Sequence, residues 1–110
     1  MEHWERRTIQ GEPFNVGWQL AKALRNRRKH RVDFAEALTV LDDPSARSEP
    51  FVEGGEEREK IIGLSSAGRL LAIAVLIVGP AIDEEAENMG FIRIISARAA
   101  TPNEAALYRS

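Results

Sequence analysis

Cysteine is absent from this 110-residue chain, which excludes disulfides, thiol nucleophiles and Cys-based zinc sites together. Histidine is scarce as well, with only His3 and His30. No apolar run is long: Leu70 to Val78 has nine residues, against the roughly 20 that a membrane-spanning helix requires, so no membrane association is expected. The first residues show no basic stretch followed by an apolar core, so no secretory signal is expected and the cytoplasm is the expected compartment. A basic excess is missing too. Fifteen Lys and Arg face seventeen Asp and Glu for a net charge of -2, whereas a nucleic-acid binder more often carries a clear positive balance.

What is present supports one modest core. Hydrophobic residues make up 44% of the chain and charged residues 29%, the proportions of a folded globular domain. Residues 1–13 have little apolar periodicity and are expected to form a flexible leader, ahead of a single domain over residues 14–110. Charge is unevenly distributed. Lys22, Arg25, Arg27, Arg28, Lys29 and Arg31 follow one another without an acid, while Glu49 to Glu59 and Asp83 to Glu87 are predominantly acidic. The molecule is therefore expected to have a basic side.

The spacing of Leu20, Ala21 and Leu24 predicts a helix from Gly17 to about His30. Lys22, Arg25 and Lys29, with Trp18, fall in a stripe on the flank opposite Leu20 and Leu24, either a solvated cationic face or a surface for phosphates. A second helix is predicted from Asp33, where Asp33 and Glu36 resemble a capping box and Phe34, Ala37, Leu38 and Leu41 form an apolar face. Asp42-Asp43-Pro44 ends it; this acidic pair reads as turn chemistry rather than a metal site, since no further ligand cluster accompanies it.

Strands follow. A weak segment around Phe51 precedes Glu59 to Leu64 and Leu70 to Val78, which flank the hairpin turn Ser65-Ser66-Ala67-Gly68. Leu70 to Val78 is apolar throughout, which predicts a central strand buried on both faces. Gly79-Pro80 and an acidic loop from Asp83 to Asn88 lead to a strand from Phe91 to Arg98. Simple alternation would put Phe91, Arg93 and Ile95 on one face and Ile92, Ile94, Ser96 and Arg98 on the other. Thr101, Pro102 and Glu104 stand at the cap, first-turn and capping-box positions of a final helix, and Tyr108 lies one turn beyond Glu104.

Two stretches carry a family resemblance. Lys22, Asn26, Lys29 and His30 with Val32 and Phe34 after them, and R-I-I-S-A-R from Arg93 to Arg98 followed by Thr101 and Glu104, stand in order with E-E-R at Glu56 to Arg58 and Gly63 between them. This order resembles the BrnT family of bacterial toxins over about Val16 to Tyr108. The resemblance implies a compact α+β, RelE-like domain: a largely antiparallel sheet packed against two N-terminal helices, with a short C-terminal helix. It also implies an endoribonuclease that blocks translation, and a separately encoded DNA-binding antitoxin of the BrnA type that joins it in a hetero-oligomer. Two positions depart from the family. The family's Trp-Asp-Pro helix start is Trp18-Gln19-Leu20 here, which removes an Asp cap worth about 1 kcal/mol. The family's glycine after Lys-His is Arg31 here, and a non-glycine residue in the left-handed region costs about 1 to 2 kcal/mol.

Metal-free RNA cleavage by the neighbouring 2'-hydroxyl needs removal of that proton, stabilisation of the phosphorane's charge and a proton for the leaving oxygen. His30 is the candidate proton carrier, since imidazole titrates near neutrality. Lys29 and Arg58 are candidates for binding the phosphate, Arg98 offers a planar fork suited to its oxygens, and Tyr108 is a candidate for positioning RNA or donating a proton. Lys22, Arg25, Arg28 and Arg93 complete the expected RNA-binding set. Lys29, Arg58 and Arg98 are expected to converge on one phosphate, with no metal and no cofactor. Two other readings stay open: an inactive relative that binds the antitoxin, favoured by Gln19 and Arg31, and a non-catalytic RNA-binding domain, disfavoured because only Trp18 and Tyr108 read as exposed stacking groups.

Overall fold

The computed structural model describes residues 1–78 and 90–110, so the expected turn at Gly79-Pro80 and the acidic loop from Asp83 to Asn88 lie outside the described residues. A hairpin comes first, where a loose leader was expected. Strands β1 (Glu2–Ile9) and β2 (Glu12–Gln19) pair antiparallel around Gln10 and Gly11, whose φ values of 50° and 85° suit the two-residue turns that match strand twist. The sequence of β1 hides its strand character because most of its inward positions are polar. His3 nevertheless stacks on Trp18 at 4.6 Å between ring centroids, and Ile9 packs against the core.

The hairpin feeds helix α1 (Leu20–His30), which is followed by α2 (Phe34–Thr39) and a 3-10 turn at Val40–Asp42. Strands β3 (Arg47–Glu53), β4 (Glu56–Leu64) and β5 (Leu70–Val78) form an antiparallel meander, then come β6 (Gly90–Ala99) and helix α3 (Pro102–Arg109). The expected α+β class holds, with one correction: strands precede the two helices. The six strands lie in the order β1-β2-β6-β5-β4-β3, and every neighbouring pair is antiparallel except β2 with β6.

Helices α1 and α2 cover one face of the sheet. Val16, Ile73, Val75, Ile92, Ile94 and Ala97 meet Val32, Phe34, Leu38 and Val40 there in the core. Strand β5 is central, as its sequence predicts, but it is covered on both sides only in its first half. Leu71, Ile73 and Val75 are buried against the helices and Ala72 is buried on the other face opposite Ile62, whereas Ala74 and Leu76 on that face are only half-buried and Ile77 and Val78 at the strand's end are exposed.

Helix α1 is turned opposite to the expected sense. It starts at Leu20 because Gly17 and Trp18 belong to β2, and Leu20 and Leu24 are 39% and 57% exposed. Asn26 is its buried residue. The Asn26 amide donates to the carbonyls of Ala97 at 2.8 Å and Val32 at 3.0 Å, while its oxygen accepts the Ala97 N–H at 3.0 Å. Strand β2 pairs with β6 only as far as Arg93, so this edge of β6 is open at Ala97 and Asn26 supplies the missing partners. The polar anchor outweighs the two leucines in setting the helix's rotation. Arg31 closes α1 in the left-handed region at φ 56°, its N–H bonded to the Arg27 carbonyl at 2.9 Å. The junction expected to suffer from the loss of glycine is kept, with the strain accepted.

The predicted capping box at Asp33 does not form; Asp33 occupies the N-cap position without a side-chain hydrogen bond, and Glu36 instead binds Arg69 and the Ser65 hydroxyl. The one at α3 does form. The Thr101 side chain accepts the Glu104 N–H at 3.2 Å, and the Glu104 carboxylate accepts the Thr101 N–H at 2.9 Å.

Candidate functional site

A bulge decides what the sheet face opposite α1 and α2 carries. The β5–β6 pairing slips between Ala74 and Val75: Ala74 stands opposite Ser96, and Val75 stands opposite Ile94, leaving Ile95 as the additional residue. Ile92, Ile94 and Ala97 consequently all reach the core, and Arg93, Ser96 and Arg98 share the opposite face. The simple alternation read from the sequence separates Arg93 from Arg98; the bulge reunites them. Strand β4 adds Arg58 and Lys60 to this face, because Lys60 stands opposite Ala74 and alternates with core residue Ile61.

The strongest cluster centres on Glu104. Arg98 grips it with both nitrogens of its fork, Nη1 to Oε1 at 2.6 Å and Nη2 to Oε2 at 3.0 Å, and Lys60 Nζ reaches Oε2 at 3.0 Å. The capping box orients Glu104, whose side chain is only 8% exposed, and Thr101 holds the carboxylate from below. The Arg98 hydrogen bonds lower the Glu104 pKa from its usual 4.5 to about 2; burial works against this, and the Thr101 N–H and Lys60 add to it. Glu104 in turn raises the pKa of both Lys60 and Arg98, so both remain cations at neutral pH.

These side chains wall a cleft of about 340 Å³, lined by Glu49, Phe51, Lys60, Ala74, Ser96 and Arg98 among others. Pro50 and Phe51 also line the adjoining cleft that contains Arg58. Arg58 is paired with Glu53 at 3.0 Å and Glu56 at 2.9 Å, and Lys60 also approaches Glu49 at 3.4 Å. Glu53 and Glu56 are exposed and Glu49 is half-buried, and pairs at a surface contribute only about 0 to 1 kcal/mol, so an entering anion can displace these acids. Glu104 is different: buried and fixed, it stays in the Arg98 fork and holds the guanidinium in place at the cleft wall.

The remaining expected site residues lie elsewhere. Lys22, Arg25, Arg28, Lys29 and His30 belong to α1, on the helix-covered side, where Leu24, Arg27, Arg28, Arg31 and Asp33 border a separate shallow groove. None of the described ion pairs or hydrogen bonds joins Lys29 or His30 to Arg58 or Arg98. Lys29 thus lies apart from Arg58 and Arg98, and the cations that share the face of Arg98 are Lys60 and Arg58. Tyr108 is tied away from the cleft, donating its hydroxyl to Asp43 Oδ2 at 2.7 Å. That bond raises the tyrosine's pKa, and Asp43 also accepts the N–H groups of Leu64 and Ser45. Arg93 pairs with Glu2 at 2.9 Å. Trp18, read from the sequence as an exposed stacking group, is buried.

Sequence reasoning missed Lys60. Its signal was the Arg58-x-Lys60 alternation in a strand, which puts two cations on one face, but the acids around it masked the pattern. Among the described residues, no group of three or more His, Asp or Glu side chains is arranged to hold a metal ion. No described helix is long and apolar enough to cross a membrane. The arrangement can hold an anion against a half-buried, oriented guanidinium and an ammonium, and can stabilise charge that develops on it.

Comparison with curated proteins gives no match. The family model described as ribonuclease toxin, BrnT, of type II toxin-antitoxin system matches residues 18–104, a span that contains Arg58, Lys60, Arg98 and Glu104. The chain belongs to the BrnT family of ribonuclease toxins.

Proposed function

We propose that this protein is an endoribonuclease toxin whose catalytic surface is the sheet face opposite α1 and α2, centred on Lys60 and Arg98. The observation that carries the reading is the two-cation clamp on buried Glu104 at the wall of the cleft. In it, Arg98 and Lys60 bind the scissile phosphate and stabilise the phosphorane formed when the neighbouring 2'-oxygen attacks and the bond to the 5'-oxygen breaks; solvent water takes the 2'-hydroxyl proton and returns one to the leaving 5'-oxygen, without a metal or other cofactor. Arg58 and Arg93 hold flanking phosphates. Neither histidine belongs to this face: His3 stacks on Trp18 and His30 ends α1. Rate enhancement accordingly comes from positioning and charge rather than from an imidazole pair, in keeping with the RelE-like relationship that the family resemblance implies. The same reading places the protein in the cytoplasm, inhibiting translation until a separately encoded DNA-binding antitoxin of the BrnA type captures it in a hetero-oligomer.

Induced expression in bacteria tests this reading. Wild type arrests growth, whereas Lys60→Ala and Arg98→Ala, at equal soluble levels, relieve the arrest and lower the cleavage rate by on the order of 10²-fold each. His30→Ala stays toxic. Cleaved RNA carries 2',3'-cyclic phosphate and 5'-hydroxyl ends, with or without a chelator. Full toxicity of both cation variants would remove the cleft from the mechanism, and 3'-hydroxyl with 5'-phosphate ends would point to metal-dependent hydrolysis. A soluble wild type that leaves growth unaffected favours an inactive antitoxin-binding protein.

A further inference from the structure

The N-terminal hairpin, most of which precedes the span matched by the family, carries an aromatic side chain onto the face of the proposed active site. Trp4 stands opposite Gly17 in the β1–β2 pairing, and Gly17 stands opposite Arg93 in the β2–β6 pairing. A Cβ at position 17 would lie 2.4 Å from ring atoms of Trp4, so the indole rests directly on the glycine backbone. Only a residue without a side chain leaves room for that. Around the ring, the Arg93 guanidinium carbon lies 5.4 Å from its centroid, Phe91 meets it edge-on at 6.1 Å, and Glu2 accepts the indole N–H at 2.9 Å while pairing with Arg93. The ring is thus held by the Gly17 backbone, by Arg93 over the ring and by Phe91 and Glu2 at its edges, yet Trp4 remains 41% exposed.

A tryptophan fixed on a sheet, with its polar edge satisfied and 41% of its surface exposed, is a preformed stacking platform whose Arg93 guanidinium a planar base can join or replace. It costs little ordering on binding, since its orientation is already set by Gly17, Arg93 and Glu2. Its location fits the substrate. Arg93 and Arg98 are five positions apart on β6, so by strand rise the platform lies roughly 15 Å from the Arg98 clamp, the reach of a few nucleotides of single strand. We infer that Trp4 stacks on a nucleobase of single-stranded RNA and anchors the strand that runs across the sheet to Lys60 and Arg98.

The inference rests on the reading of this face as an RNA-binding surface, and the test separates the two. A fluorescein-labelled 2'-O-methyl oligouridylate, which lacks the attacking hydroxyl and is not cut, is titrated with the full chain and binding is followed by anisotropy. Wild type binds, with quenching of tryptophan emission. Trp4→Phe keeps most of the affinity, and Trp4→Leu, similar in apolar character but without a ring, weakens binding on the order of tenfold. Circular dichroism and melting of the two variants show whether each retains the hairpin, and a purely structural tryptophan would shift stability in both while leaving their affinities equal. Equal binding by wild type and a folded Trp4→Leu variant overturns this inference and leaves the active-site reading standing. Failure of the wild type to bind, with RNA still cleaved, also overturns it; failure to bind and to cleave overturns both.

Discussion

Replacing Glu104 with glutamine should remove the charge at the heart of the site while keeping its shape. Glutamine also suits the third helical position of a capping box, so the bond to the Thr101 N–H survives and α3 stays capped. What disappears is the anionic partner of Arg98 and Lys60. The folded-state pKa of about 2 against an ordinary 4.5 corresponds to about 3 kcal/mol of stability from the ionised carboxylate. Because the lowered pKa belongs to an acid, that contribution is complete above pH 4.5 and declines as the pH falls through about 2. Urea denaturation of wild type and Glu104→Gln should therefore differ by about 2 to 3 kcal/mol at pH 7, and the gap should narrow steadily below about pH 4.5. Differences between the two proteins cancel the titration of the other acids. A gap that stays constant down to pH 2, or none at pH 7, would show that Arg98 and Lys60 do not stabilise the carboxylate, and the description of the clamp would fail.

Arg31→Gly should stabilise the protein by about 1 kcal/mol, since relief of the left-handed backbone outweighs the added freedom of glycine in the unfolded chain. Thermal melting would then shift upward by roughly 4 to 8 °C, and a lower melting temperature would contradict the strain. Asn26→Ala should cost about 2 to 4 kcal/mol, because it orphans both backbone groups of Ala97 and the Val32 carbonyl in the interior. Amide exchange at Ala97 should quicken in the same variant; unchanged protection there would mean that another group satisfies the N–H.

Much of the architecture was legible because certain signals are local. The capping box of α3 depends on Thr101, Pro102 and Glu104 alone, and the β4–β5 hairpin depends on a polar turn between two apolar runs. The N-terminal hairpin was not legible, since β1 alternates between two polar faces and becomes a strand through its pairing with β2 and the contacts of His3 and Trp4. The rotation of α1 was misread because Leu20 and Leu24 gave an apolar rule that a single buried amide overrode. For the site, Arg98 and Glu104 were each singled out and found together, one as a candidate phosphate fork and the other as a cap. Lys60 and the companionship of Arg93 with Arg98 were not, because both depend on strand pairing. A bulge opposite Ala74 and Val75 has no signature in an isoleucine-rich run such as Ile92 to Ile95.

The place of β6 bears on when the fold can close during synthesis. This strand is synthesised after the other five but lies in the middle of the sheet, joining β2 on one side to β5 on the other. Until it emerges from the ribosome, the amino-terminal hairpin and the three-stranded meander have no backbone ladder between them. Arg93, Arg98 and Glu104 arrive with the same segment, so completion of the sheet and assembly of the Glu104 cluster are one event.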